Sequence, residues 1–399
     1  MRPNPVIPIV LFAASDLAAT AAVPDAVAEL GRALFEDGRL SIDGTVSCAT
    51  CHDPARSFAD GAPESKGVLG VVVGRNTPTL WGLDTVDSFP IEGRAGHGVP
   101  SVRSATLAER CIAPIENPLE MALVVDTAVR RLNEDLAMRD RFSLAFGAPH
   151  GGATRDRMGE ALAAYVRTLK SPTSPYSRAL DGDESALTVD ERAGLSIFET
   201  RGQCASCHSG PGLTDGRMHI VTPADERGHP RESRKARSKN IRKMRAATRA
   251  AKKRDVDHDL QLQLTRSIQS GGYGGTIQPR PDMQTLTLWD VSRTGPYFRD
   301  GSVPDLEEAV RTHVRRLRES GPEAKEREAT LRSLAASRET ANQAPQFVLG
   351  ALALPESLTP AEPEDRPRVP AQLTDAEIEY LMHFLRSLSP REHDPVAKG

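Results

Sequence analysis

Two short motifs carry the strongest chemistry in this chain: Cys48-Ala-Thr-Cys51-His52 and Cys204-Ala-Ser-Cys207-His208. Two thiols separated by two residues can add to the vinyl groups of a haem, and the histidine that follows can reach the iron at the ring centre as proximal ligand. Paired cysteines also build tetrahedral zinc sites. A histidine directly after the second cysteine adds nothing to a zinc site, and here the pentad occurs twice. The spacing therefore points to two covalently bound haems c, with His52 and His208 on the irons. Four of the 5 cysteines are used in this way. The remaining one, Cys111, has no obvious disulfide partner and reads as a buried, inert thiol.

The elements that must position these motifs repeat as well. Residues 26–36 carry Val27, Leu30 and Leu34 at helical spacing and end at Asp37-Gly38, shortly before the first pentad. Thr188-Val-Asp-Glu191 is a capping box that opens a helix running to Glu199, shortly before the second. Downstream, Thr77-Pro-Thr-Leu-Trp81 is echoed by Thr285-Leu-Thr-Leu-Trp289. This order, helix then turn then pentad, implies two copies of one ancestral unit. Further helices are expected over residues 127–146, 154–169 and 306–317, and over 378–388 behind the capping box Thr374-Asp-Ala-Glu377. The Gly- and Pro-rich stretch 61–118 reads as mostly irregular backbone of the kind that wraps a ligand. Ser171-Pro-Thr-Ser-Pro and Asp181-Gly-Asp form a polar break. It divides the chain into an N-terminal domain, residues 23–175, and a C-terminal domain, residues 176–399.

Bulk properties agree with a soluble, cofactor-filled protein. Only 4% of the 399 residues are aromatic, so a large bound macrocycle would supply apolar bulk that the side chains do not. Arg2, the apolar run from Val6 to Ala14 and Ala19-Thr-Ala21 resemble an export signal over residues 1–22, although Asp16 interrupts it. Such a signal implies a periplasmic protein. No other stretch approaches the ~18–20 apolar residues of a membrane span. Residues 227–254 are dense in Arg and Lys, with Glu232 the sole acid, inside an apparent insertion of about 227–268. Such runs are usually solvated; a docking patch for an acidic redox partner is the second reading. No interleaved aromatics or recognised motif accompany it, so nucleic acid is not expected as a partner.

Several longer motifs resemble the bacterial di-haem cytochrome c peroxidase and MauG family. They are Leu34-Phe-Glu-Asp-Gly-Arg-Leu-Ser, Arg75-Asn-Thr-Pro-Thr-Leu, Pro114-Ile-Glu-Asn-Pro-Leu-Glu-Met121, Ala205-Ser-Cys-His-Ser-Gly-Pro-Gly-Leu-Thr-Asp215 and Thr294-Gly-Pro-Tyr-Phe-Arg-Asp-Gly301. The resemblance runs from about Leu30 to Leu388, interrupted by the basic insertion. It implies a mostly α fold of two cytochrome-c-like helical domains, each carrying a covalent haem, with the haems facing a shared interface. The first haem would be the peroxide site, with His52 proximal and Glu120 over the distal face. A carboxyl there could take a proton from peroxide and return it to the leaving oxygen. Where classical peroxidases of the family carry a displaceable distal histidine, this chain holds aliphatic residues near Val68. His97, in an apparent loop insertion, is a competitor for that position.

On the second haem, His313 occupies the place of the family's axial Met or Tyr and would be the sixth ligand. The chain also departs from the pattern at Arg299, usually His, and at Ile91, aligned with an inter-haem Trp; Trp81 and Trp289 are alternative relays or simply core. Relatives hold a bridging calcium ion, for which Asn76, Thr294 and Pro296 are the matching positions. The reaction implied uses hydrogen peroxide, with electrons from a small redox protein (a cytochrome c or cupredoxin) or with a protein substrate oxidised in MauG fashion. A reading from another class is a non-catalytic di-haem electron-transfer cytochrome, with two six-coordinate haems and a dispensable Glu120.

Overall fold

The computed structural model describes residues 23–86, 89–92, 102–117, 119–147, 151–220, 242, 282–319 and 372–391. The export signal, His97 and the basic insertion apart from Arg242 lie outside these residues. The fold is mostly helical. Its first part runs through α1 (Val23–Phe35), the single turn α2 (Cys48–Cys51), strands β1 (Phe89–Glu92) and β2 (Val102–Ala105), and helices α3 (Leu107–Glu116), α4 (Val125–Glu134), α5 (Leu136–Ala145) and α6 (Arg155–Thr168). The second part comprises α7 (Pro175–Leu180), α8 (Val189–Glu199), strands β3 (Met218–Ile220) and β4 (Asp282–Gln284), α9 (Leu306–Glu319) and α10 (Asp375–Ser387).

Each part has its own apolar core. Leu30, Leu34, Ile115, Phe142, Met158 and Leu162 are among the buried residues of the first. Tyr176, Leu195, Trp289, Leu381 and Phe384 belong to the second. Trp81 packs against both. A close helix crossing organises each core, and glycine permits both. Gly31 on α1 lies against the backbone of Ala161 on α6, where an added Cβ would also stand 2.8 Å from Tyr165 Cβ. Gly194 on α8 meets Tyr380 on α10 in the same way, and its Cβ would stand 2.8 Å from Phe384 Cβ. Both glycines precede a buried Phe by four residues, Phe35 and Phe198, one helical turn along the same face. The internal repeat is therefore a repeat of packing.

Several expectations need amendment. The run 127–146 is two helices broken at Asp135, which takes extended backbone (φ −84°, ψ 107°). Its carboxylate accepts the Met138 N–H at 3.2 Å and pairs with Arg39 at 2.6 Å, so this side chain caps a new helix instead of riding on the old one. The supposedly irregular stretch 61–118 ends in α3, opened by a Thr106/Glu109 capping box of the same kind as Thr188/Glu191 and Thr374/Glu377. The polar break after Ser171 contains α7, with Ser174 as its cap; Tyr176 tilts onto Trp289 and meets Phe384 edge-on, at ring separations of 5.8 and 5.1 Å. Two antiparallel ribbons, with Phe89 opposite Ala105 and Met218 opposite Gln284, are additional to the expected helices. Among the described residues no helix is long and apolar enough to cross a membrane.

Because backbone stands opposite both glycines, neither site can yield by a rotamer change. Gly31→Ala and Gly194→Ala should each destabilise the protein by about 1–3 kcal/mol, as overpacked cores do. The check is the midpoint of guanidinium unfolding of the holoprotein; an unchanged midpoint in both variants would contradict the close crossings.

Candidate functional site

The two pentads adopt one geometry. The backbone closes a turn through His52 N–H to Cys48 O at 2.8 Å and through His208 N–H to Cys204 O at 2.9 Å. His52 Nδ1 lies 3.0 Å from Phe58 O, and His208 Nδ1 lies 3.2 Å from Leu213 O. A carbonyl can only accept, so Nδ1 carries the proton in each ring and Nε2 keeps its lone pair. That is the tautomer a metal ligand needs, with the ring oriented by its other nitrogen. Phe58 and Leu213 offer these carbonyls from left-handed backbone, φ +56° and +50°. Burial lowers the pKa of both histidines, which keeps them neutral. Sequence reasoning missed the two carbonyls, since backbone groups carry no residue signature. The available signal was the Asp-Gly pair behind each, Asp60-Gly61 and Asp215-Gly216, whose glycines are left-handed.

These residues fit haem better than zinc. No two of the five cysteines are joined in a disulfide, and burial pushes Cys48 up to about 12, Cys51 to about 11 and Cys204 to about 12. Nor do the two sulfurs and the imidazole of either pentad converge. Among the described residues the ligand groups that gather within 4.8 Å are Cys207, Asp215 and His219, a cluster that joins only one pentad sulfur to a buried Asp215–His219 pair 2.7 Å apart. Separate sulfurs with an imidazole held apart are what attachment at a macrocycle's rim and ligation at its centre require. The pentad side chains lie deep in the fold yet remain only partly covered by protein, as groups bonded to a large cofactor must.

His313 stands across from His208. It projects from α9, and the two ring centroids are 6.5 Å apart with planes at 63°. Two metal–imidazole bonds of about 2.0–2.1 Å each, plus the two ring radii, span roughly 6 Å, so one iron fits between them. Burial, with His208 and then the charge of Arg316 adding to it, lowers the His313 pKa to about 4 and leaves a neutral imidazole. Arg316 itself sits over the Phe298 ring at 4.6 Å. Arg311 ties α9 to the first turn of α10 through Asp375 at 2.8 Å. His313 is thus an interior residue of the second pentad's surroundings, not a solvent-facing helix residue.

Glu120 is half-buried in the turn after α3, near the first pentad. Burial raises its pKa, against the opposing effects of Arg75, Arg110 and a 2.7 Å hydrogen bond donated by Asn117 Nδ2. Asn117 also accepts the Leu119 N–H at 3.0 Å through Oδ1, so one side chain shapes the turn and aims the carboxyl. Glu120 O in turn accepts the Val68 N–H at 2.8 Å. The aliphatic turn at Val68, which is 1% exposed, is therefore fastened to the backbone of the residue expected to work beside it.

Asn76, Thr294 and Pro296 lie on segments that the fold brings together: Asn76 N–H donates to Arg299 O at 2.7 Å, and Asn76 Nδ2 donates to Ala62 O at 2.8 Å. Cys111 packs at the edge of the first core with its thiol pushed up to about 12, consistent with an inert role. Trp289 is fully buried and donates from Nε1 to Pro211 O at 2.8 Å, in the loop that holds His208. Trp81 meets Phe58 edge-on at 5.0 Å, and its buried Nε1 has no hydrogen-bond partner among the described residues.

The fold and the paired loops define a di-haem c-type cytochrome with one carboxyl-bearing site. The family of di-haem cytochrome c peroxidases matches residues 25–185. A methylamine utilization protein MauG from Methylorubrum extorquens is 31% identical over 294 residues, which is 73% of this chain and 69% of the relative. A cytochrome c551 peroxidase from Nitrosomonas europaea is 30% identical over 289 residues, 72% of each chain. In fold, a MauG-like protein associated with microbial copper homeostasis superposes with a TM-score of 0.56 at 21% identity, over 92% of this chain and 90% of that one. The chain belongs to the di-haem cytochrome c peroxidase and MauG family. It is a peroxide-reactive oxidoreductase with two covalently bound haems c. That membership sets aside the non-catalytic carrier.

If His313 and His208 share one iron, His313→Gly should convert the second haem alone from low-spin to high-spin. Electronic absorption of the ferric protein reads this directly; an unaltered spectrum would remove His313 from the ligand set.

Proposed function

We propose that the first unit, residues 23–175, is the peroxide-reacting domain, with Glu120 as its acid–base group, and that the second, residues 176–399, is its electron-transfer domain. The observation that supports this reading is the environment of Glu120. One half-buried carboxyl, aimed by Asn117, stands near the Cys48/Cys51/His52 loop, and its pKa is raised by the loss of water around it. No second histidine follows His52 before Pro78, and Val68 offers no ligand atom. When bound at His52, haem supplies the iron that takes up peroxide and the redox equivalents. The chain's own part is to move a proton. Glu120 accepts it from peroxide at a carboxylate oxygen and returns it to the departing oxygen, while Asn117 Nδ2 steadies the other carboxylate oxygen. Arg75 and Arg110 favour the ionised form that begins the cycle.

The second unit would hold its haem between His208 and His313, a closed site suited to electron transfer. Two imidazoles in place of a Met/His pair lower the potential, since Met/His ligation raises it. Such a poise supports MauG-like oxidation of a protein substrate over reduction of peroxide by a high-potential donor; a small cytochrome c or cupredoxin is the alternative source of electrons. The expected periplasmic location rests on the signal-like residues 1–22. The Asn76, Thr294 and Pro296 segments are the proposed calcium position, where neutral oxygens suit a hard cation that keeps water ligands.

Glu120→Gln should slow the reaction of the ferric protein with stoichiometric peroxide by about 10²–10⁴-fold, followed by stopped-flow absorption. An unchanged rate would take Glu120 out of the mechanism. Because the ionised carboxyl is the competent form and its pKa is raised, the rate should fall on acidification through an apparent pKa above the usual glutamate value. A profile without that inflection, or one that rises toward acid, would contradict the assignment.

A further inference from the structure

Among the contacts between the two halves, two are made by equivalent residues of the internal repeat. Gly82 follows Trp81 and Asp290 follows Trp289, each behind its Thr-x-Thr-Leu stretch. Both take left-handed backbone, φ +71° and +59°. At one crossing Gly82 lies under the Trp289 indole, whose Cδ1 would stand 2.7 Å from a Cβ placed on Gly82, with Gly212 Cα of the loop that holds His208 next at 3.5 Å. Residue 82 itself brings no side chain to that contact. At the other crossing the chain has a carboxylate. Asp290 Oδ2 accepts a hydrogen bond from Ser57 Oγ, in the loop that holds His52.

This second contact is costly in itself. Asp290 is 3% exposed and its backbone is left-handed; besides Ser57, its carboxylate has Ser389 as a partner and Arg293 Nε 3.7 Å from Oδ1. A buried carboxylate and a left-handed non-glycine residue both carry a cost in the folded state. Structures keep such features where the surroundings over-determine them, often at functional sites. The target of the contact suggests what is gained. Ser57 and Phe58 are two consecutive left-handed residues, both φ +56°, and Phe58 presents the carbonyl to His52 Nδ1. Thr79 Oγ1 donates to Ser57 O at 2.6 Å from the same half, and Asp290 takes the Ser57 hydroxyl from the other. Ser57 is thereby clamped on both sides, one residue from the carbonyl that orients the histidine.

We propose that Asp290 is a positioning residue for His52, supplied to the first haem site by the second unit; this rests on His52 being that haem's iron ligand. Asp290 acts through Ser57 and Phe58 on the His52 Nδ1 hydrogen bond, which raises the basicity of the ligand at its other nitrogen. The peroxide site is then incomplete without the C-terminal half, and a shift of one half against the other would be felt at the first iron.

The test uses full-length holoprotein carrying Asp290→Ala, Asp290→Asn or Ser57→Ala. Three readouts apply: the iron–histidine stretching band of the ferrous first haem by resonance Raman, the reduction potential of each haem, and the rate with peroxide. Asp290→Ala and Ser57→Ala should lower the stretching frequency, raise the potential of the first haem only, and slow the peroxide reaction by about 10-fold or more, as loss of an outer partner of a ligating histidine does. Asp290→Asn keeps an acceptor oxygen for Ser57 and should stay close to the parent. Should Asp290→Ala fail to fold, Ser57→Ala removes the same hydrogen bond with a smaller change. A lowered melting temperature with band and first-haem potential unmoved would overturn the proposal and leave a merely structural contact. Absence of an iron–imidazole band from the first haem of the parent protein would instead overturn the assignment of His52.

Discussion

Each proximal imidazole has to be held by one nitrogen so that the other stays bare, and the fold is arranged around that requirement. A backbone carbonyl does the holding in both halves, Phe58 O for His52 and Leu213 O for His208. To offer it, the chain must turn back sharply behind each pentad, through left-handed backbone and an Asp-Gly pair. The sulfurs fix the rim of a cofactor, the imidazole fixes its centre, and the carbonyl fixes the rotation of the imidazole. Helices α1, α6, α8 and α10 provide the rigid ground for this, crossing at Gly31 and Gly194 closely enough that backbone meets backbone. The two haem loops then face one another across a seam lined by Trp81, Gly82, Trp289 and Asp290.

From this common frame the two halves diverge in what they place opposite the proximal ligand. The second half brings His313 from a helix to a ring separation of 6.5 Å from His208. The first half brings a carboxyl, with an aliphatic turn fastened to its backbone. On the proposed reading, repetition of the attachment loop with differentiation of the opposite face gives proton and peroxide chemistry to one unit and electron storage to the other. Burial acts oppositely on the key groups: it keeps the histidines neutral and able to ligate, and it raises Glu120 toward the range where a proton can be both taken and returned.

Much of the site was legible because its chemistry is local in sequence. The pentads declare themselves by spacing, and Thr188/Glu191 and Thr374/Glu377 announce helix starts by side chains that bond within one turn. Glu120 and His313 were legible only through resemblance to a family; one helix turn or one Pro-rich loop gives no sign of what lies opposite. The break at Asp135 depended on Arg39, nearly a hundred positions away, and so was invisible to local periodicity. Ser57 and Phe58 carry no mark of left-handed backbone, because tertiary hydrogen bonds impose it. The β1–β2 and β3–β4 ribbons are three or four residues long, too short for an alternating pattern to stand out.

Electron paramagnetic resonance of the resting ferric protein tests the central claim most directly, because it distinguishes and counts iron environments. This account predicts equal amounts of one high-spin centre, the first haem with a position open to peroxide, and one low-spin centre, held between two histidines. Two low-spin centres of equal intensity, with no high-spin signal, would contradict it.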